Sequence, residues 1–191
     1  MRTVLYGGCL LLLMACSQHA VHTQYYQFPY PETLPEHSAP QSSSGRTLVL
    51  QSIQLAPFLQ QRGIAFQHSA TELTVARQHL WADDLATQLS RHLALNLDAS
   101  GSGWQLQPQT NKTAMQLHIR LDRMVGTADG YALLSGEYRL SGPQHSARQP
   151  FLIRQPLAND GYPALVEAMA LGWQQLSQDI AGLLTTMAEA E

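Results

Sequence analysis

Lysine is all but missing from this sequence. Lys112 is the only one, and charged residues of all kinds make up 13% of the chain. With 11 basic residues against 14 acidic ones, the formal net charge is −3, and no stretch of sequence carries the arginine cluster that a nucleic acid or an anionic leaflet would require. No nucleic-acid partner is therefore expected. Cysteine is nearly as scarce, with only Cys9 and Cys16. Long apolar runs are absent too: the longest, Val4 to Leu13, is about half of the 20 residues that a bilayer-spanning helix needs, so it does not read as a permanent transmembrane anchor. Sequence motifs of catalysis are also missing. The chain has no G-x-S-x-G nucleophile elbow, no S-x-x-K, no phosphate-binding loop and no G-x-G-x-x-G, which leaves no expectation of a cofactor or of an enzyme.

What is present begins with Leu13-Met14-Ala15-Cys16, directly after the apolar run. A short basic start, an apolar segment and a small residue before a cysteine resemble a bacterial lipoprotein signal peptide, with Met14 standing where a small or β-branched residue is usual. The expectation is that residues 1–15 are removed and that Cys16 becomes the acylated first residue. Several acyl chains, at about 0.8 kcal/mol per buried CH₂, make a lasting anchor where one chain is marginal. Cys9 would leave with the signal segment and Cys16 would carry lipid, so no thiol would remain for a disulfide. The mature fold, about 176 residues, would then rest on a core of ordinary domain size.

Residues 16–24 are polar and lack an apolar period, which predicts a tether. Next come the aromatics Tyr25-Tyr26-Gln27-Phe28-Pro29-Tyr30, then a Pro/Ser-rich loop over 31–45. Exposing four aromatics so close together is costly, so this segment is expected to dock as a first strand. Docking shortens the free tether to a mean span of about 15 Å, against about 30 Å if the whole leader were loose.

From residue 25 to 191 the chain reads as a single domain. The run Leu48 to Leu55 predicts a central strand ended by Pro57, and the segments 64–67 and 73–76 predict a hairpin. Trp81, Leu85, Leu89, Leu93 and Leu97 recur every four residues, which predicts a helix with Asp83 and Asp84 in its first turn. Met115, Leu117, Ile119 and Leu121 alternate with polar residues, opening a three-strand meander that continues through Ala132 to Leu140 and Phe151 to Ile153. A last helix, starting near Asn159 and Asp160, is expected to bury Leu165, Met169, Trp173, Leu176, Ile180, Leu183 and Met187. The fold class is α+β: a mainly antiparallel β-sheet with two amphipathic helices packed on one face, Trp81 and Trp173 at the centre of that packing.

Of the eight histidines, His19 and His22 lie three apart in the tether, while His68, His79, His92, His118 and His145 are scattered without the i,i+4 pair or cysteine partner that defines a zinc site, so no metal is expected. Adjacent helix residues point in different directions, and Asp83-Asp84 reads as stabilisation of a helix start rather than an acid/base pair.

Several short motifs occur in one order: the Cys16 segment, Tyr25-Tyr26-Gln27-Phe28-Pro29, Gly63-Ile64-Ala65-Phe66-Gln67, His79-Leu80-Trp81 leading to Leu85, Asp129-Gly130 with Ser135-Gly136 and Tyr138, and Asp160-Gly161-Tyr162. Together they resemble the ABC-type transport auxiliary lipoprotein family over nearly all of the chain. Asp84 departs from the proline common at that place in relatives. The resemblance implies a non-enzymatic, outer-membrane-anchored lipoprotein of an envelope lipid-transport system. Its implied partner is a periplasmic protein with mammalian-cell-entry domains, and because such bridges are usually rings it is compatible with a homo-oligomer. Ser17 after Cys16 agrees with the outer membrane, since aspartate there is the usual inner-membrane signal. Tyr25, Tyr26 and Trp81 are the candidate partner-binding residues, with a core role as the competing reading of Trp81. Two other classes remain as rivals: a small lipid-binding carrier, which needs an apolar cavity between helices and sheet, and a hydrolase, which needs a clustered nucleophile and base.

Overall fold

The computed structural model describes residues 22–31, 46–107 and 114–189. Cys16 with its signal segment, the tether up to residue 21, residues 32–45 of the expected loop, and Lys112 lie outside the described residues.

Eight strands and two helices follow one another as β1 (Gln24–Tyr26), β2 (Arg46–Leu55), β3 (Gly63–Gln67), β4 (Leu73–Trp81), α1 (Leu85–Ala99), β5 (Trp104–Gln107), β6 (Met115–Thr127), β7 (Tyr131–Ser141), β8 (Ser146–Pro156) and α2 (Tyr162–Glu189). All strands join one sheet, organised around the long β6. β7 pairs with one edge of β6 along almost its whole length, and β8 continues that antiparallel meander. The other edge of β6 is shared. β2 occupies it from Met115 to Leu121, and β3 takes the far end at Gly126 and Thr127. Pro57 stops β2 and begins a short 3-10 turn, Pro57–Gln60, that carries the chain from one partner of β6 to the other.

The class is α+β, as the sequence pattern predicts, with the antiparallel part supplied by the β6–β8 meander and the β3–β4 hairpin. The remaining pairings are parallel: β1 with β4, β2 with both β5 and β6, and β3 with β6. β5, which follows the Gly101 and Gly103 turn, has no strong alternation of its own; four residues held beside β2 suffice to form it.

Helix α2 lies over β7 and β8, with α1 beside it over β2 and β5. The layer between is filled by Leu89, Leu93, Leu117, Leu134, Met169 and Trp173, all fully buried. Trp173 also crosses between the helices, its indole Nε1 donating to the Leu89 carbonyl at 3.0 Å. Asn96 on α1 donates to Ser177 Oγ on α2 at 3.2 Å, and Ser177 in turn donates to the Trp173 carbonyl. The two helices are thus held by polar contacts along an apolar seam, the Trp173 and Ser177 bonds buried and the Asn96 bond at its half-buried edge.

Three details differ from the sequence pattern. Trp81 is the last residue of β4, not the first turn of α1; the helix starts at Leu85, and Asp84 caps it by accepting from the Thr87 amide at 2.9 Å. The four-residue period runs back to Trp81 because strand end and helix face the same core. Within α2, Leu184 is fully buried while Leu183 and Met187 are half-buried on its flank. Finally, β6 carries a bulge between Leu121 and Arg123, so the inward set changes phase and Met124, rather than Arg123, enters the core.

Candidate functional site

The aromatic segment at the start of the described chain is joined to the body of the sheet by backbone and side chains together. β1 pairs in parallel with the end of β4, placing Gln24 beside His79, Tyr25 beside Leu80 and Tyr26 beside Trp81. The Tyr26 carbonyl accepts from the Ala82 amide at 2.8 Å, just where β4 gives way to the α1 cap. Two residues on, Phe28 is fully buried, edge-on to Trp81 at 5.8 Å and to His92 at 5.2 Å. Its backbone amide donates to Gln88 Oε1 at 3.2 Å. Gln88 is itself buried, and its amide nitrogen reaches the Asp83 carbonyl at 3.2 Å, so one α1 side chain ties together the leader and the β4–α1 junction.

A second layer closes over β1. The Tyr26 hydroxyl lies 2.9 Å from His79 Nδ1, and the His79 imidazole stacks on Tyr162 at 3.8 Å with planes 14° apart. Gly161 precedes Tyr162 with φ of 103°, a conformation costly for any residue with a Cβ, and its carbonyl accepts from Leu165 to start α2. Three motifs far apart in sequence, at residues 25–29, 79–81 and 160–162, therefore meet at one end of the sheet. Desolvation raises the Tyr26 hydroxyl above its ordinary pKa, with Tyr162 adding to it, which keeps the phenol neutral.

The three residues singled out from sequence fall in different settings here. Tyr25 is 58% exposed, with the Arg62 guanidinium 5.7 Å from its ring, a cation–π arrangement open to solvent. Tyr26 is half-buried in the His79 and Tyr162 layer. Trp81 is 3% exposed, packed in the core beneath a small surface pocket that it lines with Arg62 and Asp83. The surface at this end consists of Tyr25, Arg62 and Tyr30, the last tilted over His92 at 4.9 Å. Arg62, Gln88, His92 and Tyr162 were not marked by any spacing in the sequence. Only Tyr162 carried a signal, as part of the Asp160-Gly161-Tyr162 motif.

Of the polar groups considered for chemistry, Asp84 caps α1 and Asp83 pairs with Arg91. His68 and His118 are hydrogen-bonded to Thr74 and Ser52. Among the described residues, no three His, Cys, Asp or Glu side chains gather in a way that would hold a metal ion. No described helix is long and apolar enough to cross a membrane.

One expectation from composition changes with the structure. No stretch of sequence holds an arginine cluster, yet strand register sets His118, Arg139 and Arg148 side by side on one face of β6–β8. Arg120 lies next to them, and these side chains line a groove of about 630 Å³.

Comparison with known proteins agrees with this architecture. The chain is 28% identical, over 172 residues, to the intermembrane transport lipoprotein PqiC of Escherichia coli K12, covering 90% of this chain and 91% of that protein. The PqiC of Shigella flexneri matches to the same extent. Among solved structures, an uncharacterized protein 27% identical superposes with a TM-score of 0.74 over 85% of this chain and 99% of its own. A Xanthomonas campestris protein, 18% identical, shares the fold with a TM-score of 0.67 over 88% of this chain and 99% of its own. Residues 26–181, which run from the docked Tyr26 through most of α2, match the model of one family along their whole length. The chain belongs to that family, the ABC-type transport auxiliary lipoprotein component.

Proposed function

We propose that this protein is a non-enzymatic lipoprotein subunit of an envelope lipid-transport system, anchored at the outer membrane through acylated Cys16 and docking a periplasmic partner that carries mammalian-cell-entry domains. The observation that carries this reading is the match to PqiC along 90% of the chain, with the family match beginning at the docked strand. The geometry supports it in one respect. Because Gln24 pairs with His79 in β1, the tether expected over 16–24 is shortened to 16–23, and with β1 and Phe28 fixed to the body a link of eight residues between lipid and domain spans about 15 Å on average. Tyr25 and Arg62 then lie at the membrane-proximal end of the sheet, where an aromatic ring and a guanidinium offer the contacts that interfaces favour. Residues 1–15 are the signal peptide in this reading and 25–191 the docking domain, with self-association matched to a ring-shaped partner.

Two experiments test it. Metabolic labelling with a palmitate analogue should mark the wild-type protein and not Cys16→Ala; equal labelling of both sinks the anchor. A soluble form, residues 17–191, should capture the partner's ectodomain at micromolar concentration, and Tyr25→Ala should weaken capture by about tenfold or more, the size of an aromatic hot spot. Absence of capture by the wild type counts against docking.

A further inference from the structure

The charge of this molecule is unevenly placed. Residues 115–156, the β6–β8 meander, carry five arginines and three carboxylates, although the whole chain is net negative, whereas α2 carries Glu167, Asp179 and Glu189 without any lysine or arginine. Tyr138 and Leu140, turned towards the helices, are buried; Arg139 between them is exposed on the opposite face, with His118 and Arg148 as its direct neighbours on β6 and β8. Placing Arg139 and Arg148 directly opposite each other is unfavourable, since like charges across a strand pair repel.

Neighbouring acids relieve only part of this. Arg148 pairs with Glu137 at 2.6 Å, and Arg120 bonds both oxygens of Asp122 at 3.0 and 3.2 Å. Arg139 has no hydrogen-bonded acceptor among the described residues, and Glu137 lies within electrostatic reach of it. An exposed guanidinium fork beside a second one, in a groove of about 630 Å³, is suited to an oxyanion that accepts two bonds at once.

Further along the same face an exposed leucine stands among polar side chains, Arg123, Asp129 and Arg154 included. Leu152, four residues from Arg148 and therefore on the same side of β8, is 67% exposed, and with Leu133 it lines a second groove of about 450 Å³. A cationic groove beside exposed leucine fits an amphiphile with a charged head. An acidic peptide fits less well, because Pro150 and Pro156 remove backbone donors from β8 and blunt strand addition at this edge.

The geometry points to a binding site for the phosphate of an anionic phospholipid headgroup, with Arg139 as its principal ligand, Arg148 beside it and Leu152, about 13 Å further along β8, against the acyl chain. None of these residues belongs to the aromatic end described above, so the inference does not depend on the docking reading.

Calorimetric titration of the full-length acylated protein in neutral detergent tests it. The probes are dihexanoyl-phosphatidylglycerol below its micellar concentration, dihexanoyl-phosphatidylcholine, deacylated glycerophosphoglycerol and inorganic phosphate. Saturable binding of the phosphatidylglycerol is expected, about tenfold tighter than phosphatidylcholine or inorganic phosphate, and about tenfold weaker in Arg139→Gln and in Arg148→Gln with unchanged melting temperatures. Leu152→Ser should weaken the acylated probe and leave the deacylated one unchanged. Equal affinity in wild type and Arg139→Gln overturns the site, as does the absence of saturable binding. Inorganic phosphate binding as tightly as the lipid, or an oligoglutamate peptide displacing it at comparable concentration, overturns the headgroup assignment.

Discussion

His92 sits between Phe28 and Tyr30, almost wholly buried, with its Nε2 lacking a hydrogen-bond partner among the described residues. Burial holds its pKa below the ordinary imidazole value, and the charge of Arg91 adds to the effect. The folded state therefore prefers neutral His92 more than the unfolded chain does. Its contribution to stability is complete above the unfolded pKa, about 6.5, and is lost as pH falls below that towards the folded value. Thermal melts of wild type and His92→Leu between pH 8 and pH 5 should show a steeper acid decline in the wild type; parallel curves would contradict this account. Phe28 is the other single residue on which this end depends. Phe28→Ala should cost about 3–5 kcal/mol, the usual range for a fully buried aromatic, read from the denaturant midpoint. At this scale sequence was informative about type and less so about setting. The aromatic cluster at 25–30 was legible as a segment too apolar to stay in water, but nothing local distinguishes buried Phe28 from exposed Tyr25. Trp81 matched a helical period only because a strand end and a helix share one core.

Elements were legible wherever one period governed them. The alternation from Met115 to Leu121 and the three-and-four spacing of α2 both reported a single buried face, and both appear in the structure. Legibility stopped at the bulge after Leu121, because an extra residue reverses which side chains point inward and leaves no mark in composition. Gly136 explains part of that bulge. A Cβ there would lie 2.0 Å from the Arg120 carbonyl, so only glycine allows β7 to approach β6 so closely. Between elements, the contact that sequence could not supply is the Trp173 indole bond to Leu89. Trp173→Phe keeps an aromatic ring but removes the donor, and because the Leu89 carbonyl belongs to a helix its other bond survives. The expected loss is about 1 kcal/mol, together with earlier hydrogen exchange at the α1–α2 contact. A loss of several kcal/mol would mean that ring volume, and not the bond, holds the helices together.

For the whole molecule, fold class was legible and strand order was not. Two helices and a predominance of local hairpins imply α+β, whereas parallel pairing of β2 with β5 and β6, or of β1 with β4, joins segments whose affinity has no local signature. The same holds for function. The arginine groove assembles residues 118, 139 and 148 by register alone, and the aromatic end assembles motifs near residues 26, 79 and 162. Family membership places the protein among transport auxiliary lipoproteins, and under the anchoring proposed at Cys16 the docked β1 would leave a short link between the lipid and an exposed Tyr25. Site-specific photo-crosslinking in living cells tests this most directly, with the crosslinker placed at position 25 of the full-length acylated protein and, as control, at exposed Leu171 on α2. Crosslinks from position 25 to a protein with mammalian-cell-entry domains, absent or much weaker from position 171, are the predicted result. No such product from position 25, or equal products from both positions, would contradict the account.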